Sequence, residues 1–108
     1  MSHFTTIKTQ ISQKEVLVEA LQLLGYYAEE NQELKVTGAH GVNHEVVNAD
    51  LAISKDIGFR LNETTGTYEL VTDLETLSEN VPVKRFIDKV NQQYSRMLVH
   101  STVFFFFF

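Results

Sequence analysis

The chain has 108 residues, a hydrophobic content of 44% and a formal net charge of −5 at pH 7. This size predicts one domain with its own core, and the acidic balance argues against a protein that grips nucleic-acid phosphates, because that task needs clustered Lys and Arg. The absence of cysteine excludes disulfides and thiolate metal sites, and no apolar run reaches the roughly 18 residues of a membrane-spanning helix. We expect a soluble protein made without a signal or transit segment.

The beginning of the sequence predicts a strand and then one helix with two specified ends. Residues 3–9 are rich in threonine with apolar positions between them, which suits a strand. Ser12 and Glu15 fit a capping box, in which each side chain bonds to the other residue's amide. Apolar residues then repeat at helical spacing as far as Gly25, which predicts a Schellman ending with Tyr26 packed back on the helix.

Two strand segments are predicted directly after this helix. They are residues 26–30 and 34–37, with Asn31 and Gln32 forming the turn between them. The next segment, residues 38–43, contains two glycines and an asparagine and is therefore predicted to be a loop.

Three strands with clearer patterns follow. Residues 46–53 alternate apolar and polar side chains, which predicts a strand with one buried face. Residues 57–61 and 67–72 predict a hairpin whose turn gains its positive φ from Gly66. Gly58, inside the first strand of that hairpin, predicts a bulge or the close approach of another backbone.

The last third of the chain predicts a connector, a second helix and one more strand. Residues 74–80 are polar and acidic, and Pro82 suits the first turn of a helix. Apolar residues repeat at helical spacing from Val83 onward. Residues 94–100 suit either a continued helix or a strand; we favour the strand, because the next two residues resemble a fresh helix cap. The five phenylalanines at 104–108 fit a truncated or artefactual C-terminus better than a hydrophobic anchor.

These elements predict an α+β fold. A single antiparallel sheet of four or five strands would carry both helices on one face, in ferredoxin-like order. We expect one domain over residues 1–103, with 104–108 as an anomalous tail.

His40, His44 and Glu45 are the candidate metal ligands. A four-residue spacing sets two imidazoles on one face of a helix, but here it crosses a Gly-rich loop, which favours solvated histidines over a metal site. The sequence contains no nucleophile elbow and no phosphate-binding glycine loop. It therefore predicts no catalytic residue and no cofactor, although catalytic groups can converge from distant parts of a fold, so enzymatic activity stays open.

Two features are candidates for contact with a partner. Glu29 and Glu30, with Glu33, form an acidic cluster that could receive a basic partner, although such a run is usually a hydrated edge. Arg60 is the second candidate, but cross-strand pairing with Glu69 is the favoured alternative.

Several separate motifs also carry a family resemblance. They are Met1–Ile11, the helix ending Leu23–Tyr26, Asp56–Arg60, Gly66–Val71 and Val90–Tyr94. In this order they resemble the Ycf-type (hypothetical chloroplast reading frame) family, a domain of unknown function in cyanobacteria and plastids. The resemblance implies a protein of the cyanobacterial cytoplasm or plastid stroma, with no established activity or catalytic residue. Similar family members continue with a further helix and an acidic strand region, where this chain has the phenylalanine run.

The sequence and the resemblance together predict a small non-catalytic accessory or adaptor protein that docks onto a larger protein assembly of oxygenic photosynthetic cells. An exposed edge strand would be the docking surface, by strand addition to a protein partner or to a second copy in a homo-oligomer. The alternatives are a metal-dependent or small-molecule enzyme that uses the two histidines and Glu45, and a ligand-sensing regulatory domain.

Overall fold

The structure is a computed structural model, and it describes residues 4–37, 44–73 and 83–106. The described chain contains β1 (Thr5–Lys8), α1 (Lys14–Leu23), β2 (Glu29–Thr37), β3 (His44–Ser54), β4 (Ile57–Asn62), β5 (Thr67–Thr72) and α2 (Val83–Phe106). The predicted α+β class is confirmed. The predicted loop at 38–43, the connector at 74–80 and Pro82 lie outside the described residues.

The strands form one antiparallel sheet in the order β1-β5-β4-β3-β2. Since β1 and β2 are its two edges, α1 connects one edge of the sheet to the other, and β2 to β5 then follow as a meander. This order of elements differs from the ferredoxin-like order, because four strands lie between α1 and α2 where that order has two.

The strand predicted at 94–100 is wrong, because α2 continues through these residues. Val90, Tyr94 and Leu98 all contact the main apolar cluster, and they follow one another at intervals of four residues. Apolar side chains at this interval share one face of a helix, whereas in a strand they would need an interval of two.

The main apolar cluster joins both helices to the sheet. Phe59 and Leu70 are fully buried at its centre, in the middle strands β4 and β5. The remaining buried members are Ile11, Leu17, Ala20, Leu21, Leu51, Tyr68, Phe86, Ile87, Val90 and Tyr94. Full burial of a large apolar side chain contributes roughly 1.5–3 kcal/mol, so this cluster is the chief source of stability in the described chain.

A second, smaller cluster consists of Leu34, Ala49, Ala52 and Val71. Val71 follows Leu70 along β5, and successive residues of a strand point to opposite faces, so this cluster lies on the sheet face opposite the main one. The burial of Ala52 departs from the single buried face predicted for residues 46–53, although from Val46 to Leu51 every second side chain is the more buried one, as predicted. Within β3, residues 49 and 51 belong to different clusters although a regular strand would place them on the same face.

The reason is a bend in the hairpin formed by β2 and β3. The ladder pairs Lys35 with Val46, yet the Lys35 N–H donates to the carbonyl of Lys55 over 2.8 Å. A straight strand would separate Val46 from Lys55 by about 30 Å, because each residue advances the chain by about 3.3 Å. The hairpin therefore folds back toward Lys55. Asn31, with φ 55°, lies inside β2 at this bend, where the sequence predicted a turn between two strands.

Gly58 confirms the predicted close approach. A Cβ added there would lie 2.6 Å from the Leu51 carbonyl oxygen, 3.0 Å from Ala49 Cβ and 3.1 Å from Leu34 Cδ1. The ladder also shifts register between Ala52 and Ser54, beside this glycine. Because any side chain would collide with the folded-back hairpin, only glycine fits this position of β4.

The two ends of α1 have different origins. Its C-terminus is the predicted Schellman ending: Gly25 has φ 93°, its N–H donates to Gln22, and the Tyr26 N–H donates to Leu21. The predicted capping box is wrong, since Gln13 occupies the N-cap position and no side chain caps it from within the helix. The amides of Ser12 and Gln13 instead donate to the hydroxyl of Tyr94, over 3.2 and 3.1 Å.

The hairpin of β4 and β5 is confirmed. Its register runs from Ile57 opposite Thr72 to Asn62 opposite Thr67, and Gly66 has φ 74°. The Asn62 side-chain oxygen accepts the amide of Thr64 over 2.9 Å, which fixes the turn.

Candidate functional site

The candidate metal ligands lie at a boundary of the described residues. His40 lies outside the described residues. His44 and Glu45 begin β3, where their backbones pair with Thr37 and Val36. Within residues 4–37, 44–73 and 83–106, no three His, Cys, Asp or Glu side chains gather as a metal site would require. The metal hypothesis for the two histidines and Glu45 stays a prediction.

The pairing of Arg60 with Glu69 is confirmed. The two residues are opposite each other in the ladder, and Arg60 Nη2 lies 3.9 Å from Glu69 Oε2. The other carboxylate oxygen of Glu69 accepts Asn62 Nδ2 over 2.8 Å. The Glu69 side chain is only 10% exposed, so the hydrogen bond from Asn62 and the ion pair with Arg60 compensate a largely buried carboxylate. Arg60, at 42% exposure, also lines an open cleft beside the hairpin bend.

The three glutamates of the predicted acidic cluster lie on β2, which is an edge strand of the sheet. Glu29, Glu30 and Glu33 are all exposed, and we call them the acidic edge. Glu30 forms an ion pair with Lys14 at the start of α1, and the hydrogen bond to this carboxylate raises the pKa of Lys14. The acidic edge is therefore open to solvent, and Glu30 alone among its members forms an ion pair within the described chain.

Tyr27 belongs to the same surface, and the sequence did not identify it. Its side chain is 80% exposed. It lines an open cleft with Glu29, Gln32 and Glu33 of β2, with Ser54 at the end of β3 and with Lys55 directly after that strand. Tyr26, by contrast, packs edge-on against Phe86 with ring centroids 5.4 Å apart. The predicted Schellman ending could have indicated the exposure of Tyr27. It turns Tyr26 back onto the helix, so the next side chain points away from the helix.

Only part of the β2 edge can accept another strand. The Lys35 N–H is already bonded to Lys55, which blocks the outer side of β2 at that residue. The stretch from Glu29 to Glu33 precedes this block. It carries three carboxylates beside an exposed aromatic ring, a combination that suits side-chain contact with a basic protein surface.

A comparison with protein-family models matches residues 20–104 to a family described as "Protein of unknown function (DUF1257)". The chain belongs to the DUF1257 family. It is also 34% identical over 99 residues to "Uncharacterized protein ycf35" of Pyropia yezoensis, an alignment that covers 88% of this chain and 73% of the relative. A second protein of that name, from Cyanophora paradoxa, is 28% identical over 103 residues, covering 92% and 76%.

These relatives confirm the resemblance to the Ycf type within the DUF1257 family. No solved structure matches the chain. Among the described residues of this DUF1257 member, no helix is both long enough and apolar enough to cross a membrane.

Proposed function

We propose that this DUF1257 protein is a non-catalytic adaptor of the plastid stroma or the cyanobacterial cytoplasm, and that it docks onto a larger assembly through the acidic edge and Tyr27. The exposure of Tyr27 beside Glu29 and Glu33 is the observation that carries the proposal. Tyrosine is enriched where proteins meet, because it buries a large ring at a small cost in conformational entropy.

The charge of the surface defines the kind of partner. Glu30 is paired with Lys14, and the remaining carboxylates of Glu29 and Glu33 attract a basic surface and repel an acidic one, which supplies specificity and speeds association. Exposed ion pairs contribute little individually, so the ring of Tyr27 would supply much of the affinity and the glutamates would select the partner. A basic side chain above the ring would add a cation–π contact.

Affinity purification from oxygenic photosynthetic cells tests this proposal. The tagged full chain is compared with Tyr27→Ser and with the double variant Glu29→Gln and Glu33→Gln. The matched control removes two exposed carboxylates elsewhere, by Glu63→Gln and Asp88→Asn. We expect one partner to be retained at near one-to-one stoichiometry by the wild type and by the control. Either edge variant should retain at least about fivefold less of that partner.

Two results would contradict the adaptor role. One is that no protein is retained stoichiometrically while a metabolite or metal co-purifies. The other is that the same partner is retained equally by the wild type and by both edge variants, which would move the docking surface elsewhere.

A further inference from the structure

The outer face of α2 carries a charge opposite to that of the acidic edge. Arg85, Lys89 and Arg96 are all exposed. They follow one another at i, i+4 and i+11, which places them within a narrow sector of a helix with 3.6 residues per turn. Buried Phe86, Val90 and Tyr94 occupy the core side of the same helix. We call the three cations the basic stripe.

The cations of the basic stripe have no ion-pair partner among the described residues. Gln92 lies between them in the same sector and is also exposed, and Val99 ends the sector at 62% exposure. Asp88 is exposed to one side of the stripe, about 60° away around the helix. The stripe is therefore a net positive, uncovered helix face on a chain whose overall charge is negative.

The basic stripe and the acidic edge also match in size. Arg96 lies 11 positions after Arg85, which spans about 16 Å of helix at about 1.5 Å per residue. Glu33 lies four positions after Glu29, which spans at most about 13 Å of strand. Glu30 already pairs with Lys14, so Glu29 and Glu33 are the carboxylates that can lie opposite cations of the stripe over a similar length.

We propose that a second copy of this chain docks its acidic edge on the basic stripe of α2. Both surfaces belong to every copy, and no further component is needed. This pairing uses the same acidic edge as the proposed adaptor function and goes beyond it, because it assigns a role to α2 that docking onto an assembly does not require.

The test is the mass of the purified full chain in solution, measured by light scattering and sedimentation. Near 20 mM salt we expect a mass above the monomer that rises with protein concentration. Near 300 mM salt we expect apparent dissociation constants at least about tenfold weaker, because surface charges are then screened within a few ångströms.

Charge reversal makes the test specific. The stripe variant carries Arg85→Glu, Lys89→Glu and Arg96→Glu, and the edge variant carries Glu29→Lys and Glu33→Lys. Each alone should be monomeric, because its two surfaces then carry the same sign. An equimolar mixture should associate again, since one variant's surfaces are acidic and the other's are basic. The milder triple variant Arg85→Gln, Lys89→Gln and Arg96→Gln should also be monomeric, which serves as a check if a reversed variant does not fold.

A wild type that stays monomeric at low salt overturns the proposal, and so do single variants that associate like the wild type or a mixture that does not associate. If the monomeric wild type instead binds polyglutamate or anionic lipid vesicles through the stripe, the stripe has another occupant. Failure here leaves the adaptor role intact, because the capture experiment varies only the acidic edge and Tyr27 and measures a different protein.

Discussion

At the scale of single residues, Tyr94 has the widest structural effect. Its hydroxyl accepts the amides of Ser12 and Gln13 at the start of α1, although it lies more than eighty positions away on α2. Gln13 is the N-cap residue and Ser12 precedes it, so the hydroxyl fixes the chain where it enters the helix. We expect Tyr94→Phe to lower the free energy of unfolding by about 1–2 kcal/mol, since a phenyl ring keeps the packing but leaves both donors unpaired.

Urea denaturation measures this change. Tyr27→Phe is the matched control, because that side chain is 80% exposed and its loss of a hydroxyl should change stability by less than about 0.5 kcal/mol. Equal stabilities for the two variants would show that the Tyr94 hydroxyl does not anchor α1.

Gly58 leaves the space that the folded-back hairpin of β2 and β3 needs in order to pack against β4. An added methyl group would meet the Leu51 carbonyl oxygen at 2.6 Å, and backbone cannot move aside as a flexible side chain can. We expect Gly58→Ala to destabilise the protein by about 2–3 kcal/mol.

Gly66→Ala is the comparison for Gly58→Ala. At Gly66 a methyl group would meet nothing within 4 Å, and only its φ of 74° is unfavourable. That conformation costs an alanine roughly 1–2 kcal/mol. A Gly58 variant no less stable than the Gly66 variant would argue against close packing of the hairpin.

At the scale of secondary-structure elements, the sequence predicted a contact correctly where the two residues that make it are close in sequence. The Schellman ending at Gly25 and the pairing of Arg60 with Glu69 each depend on a single helix turn or hairpin. Both were predictable for that reason. The start of α1 was not predictable in this way. The amide of its N-cap residue Gln13 bonds to the distant Tyr94, whereas the local sequence fitted a capping box that does not form.

The bend of the β2 and β3 hairpin shows the same limit. Asn31 was identified as a turn residue and does adopt positive φ, but it lies inside a continuous strand. What decides between a turn and a kink is the contact that the bend allows, from Lys35 to Lys55 and from Leu34 to Gly58. None of these partners could be identified from the segment itself.

Asp50 anchors the bend and gives a test of it. Its carboxylate accepts the Leu61 amide over 2.7 Å, on the side of β4 that adjoins β3. We expect Asp50→Ala to cost about 1–2 kcal/mol of unfolding free energy, while Asp50→Asn, which keeps an acceptor oxygen, should cost clearly less. Hydrogen exchange provides the direct measurement: the Leu61 amide should lose protection in the alanine variant. Unchanged protection would mean that the carboxylate does not hold β4 at this point.

At the scale of the whole molecule, charge is divided between two surfaces. Net charge and the glutamate cluster were visible in the sequence, but their meeting with Tyr27 depends on how α1 ends and β2 begins. Arg85 and Lys89 lie in the helix predicted from Val83 onward, but only the continuation of that helix past Tyr94 brings Arg96 into line with them. Long helices and sheet edges assemble surfaces that no short motif contains.

The ionisation of Tyr68 also makes the stability of the fold depend on pH in the alkaline range. Burial raises the pKa of the Tyr68 hydroxyl above its ordinary value of 10.0, and the negative charge of Asp50 raises it further. The folded protein then keeps this proton at a pH where the unfolded chain has lost it. The contribution of Tyr68 is therefore complete below pH 10 and falls as the pH rises from there through the folded pKa.

Urea titrations at pH values near 9 and near 11 measure this loss. We expect the wild type to lose more stability between them than Tyr68→Phe, which has no proton to release. The variant should still lose some, because the hydrogen bond with Glu30 raises the pKa of Lys14, and the contribution of that pair falls once the pH exceeds the ordinary lysine value of 10.5. Tyr27→Phe should match the wild type, since that side chain is exposed. If Tyr68→Phe showed the full wild-type slope, the buried tyrosine would not be the group that couples folding to alkaline pH.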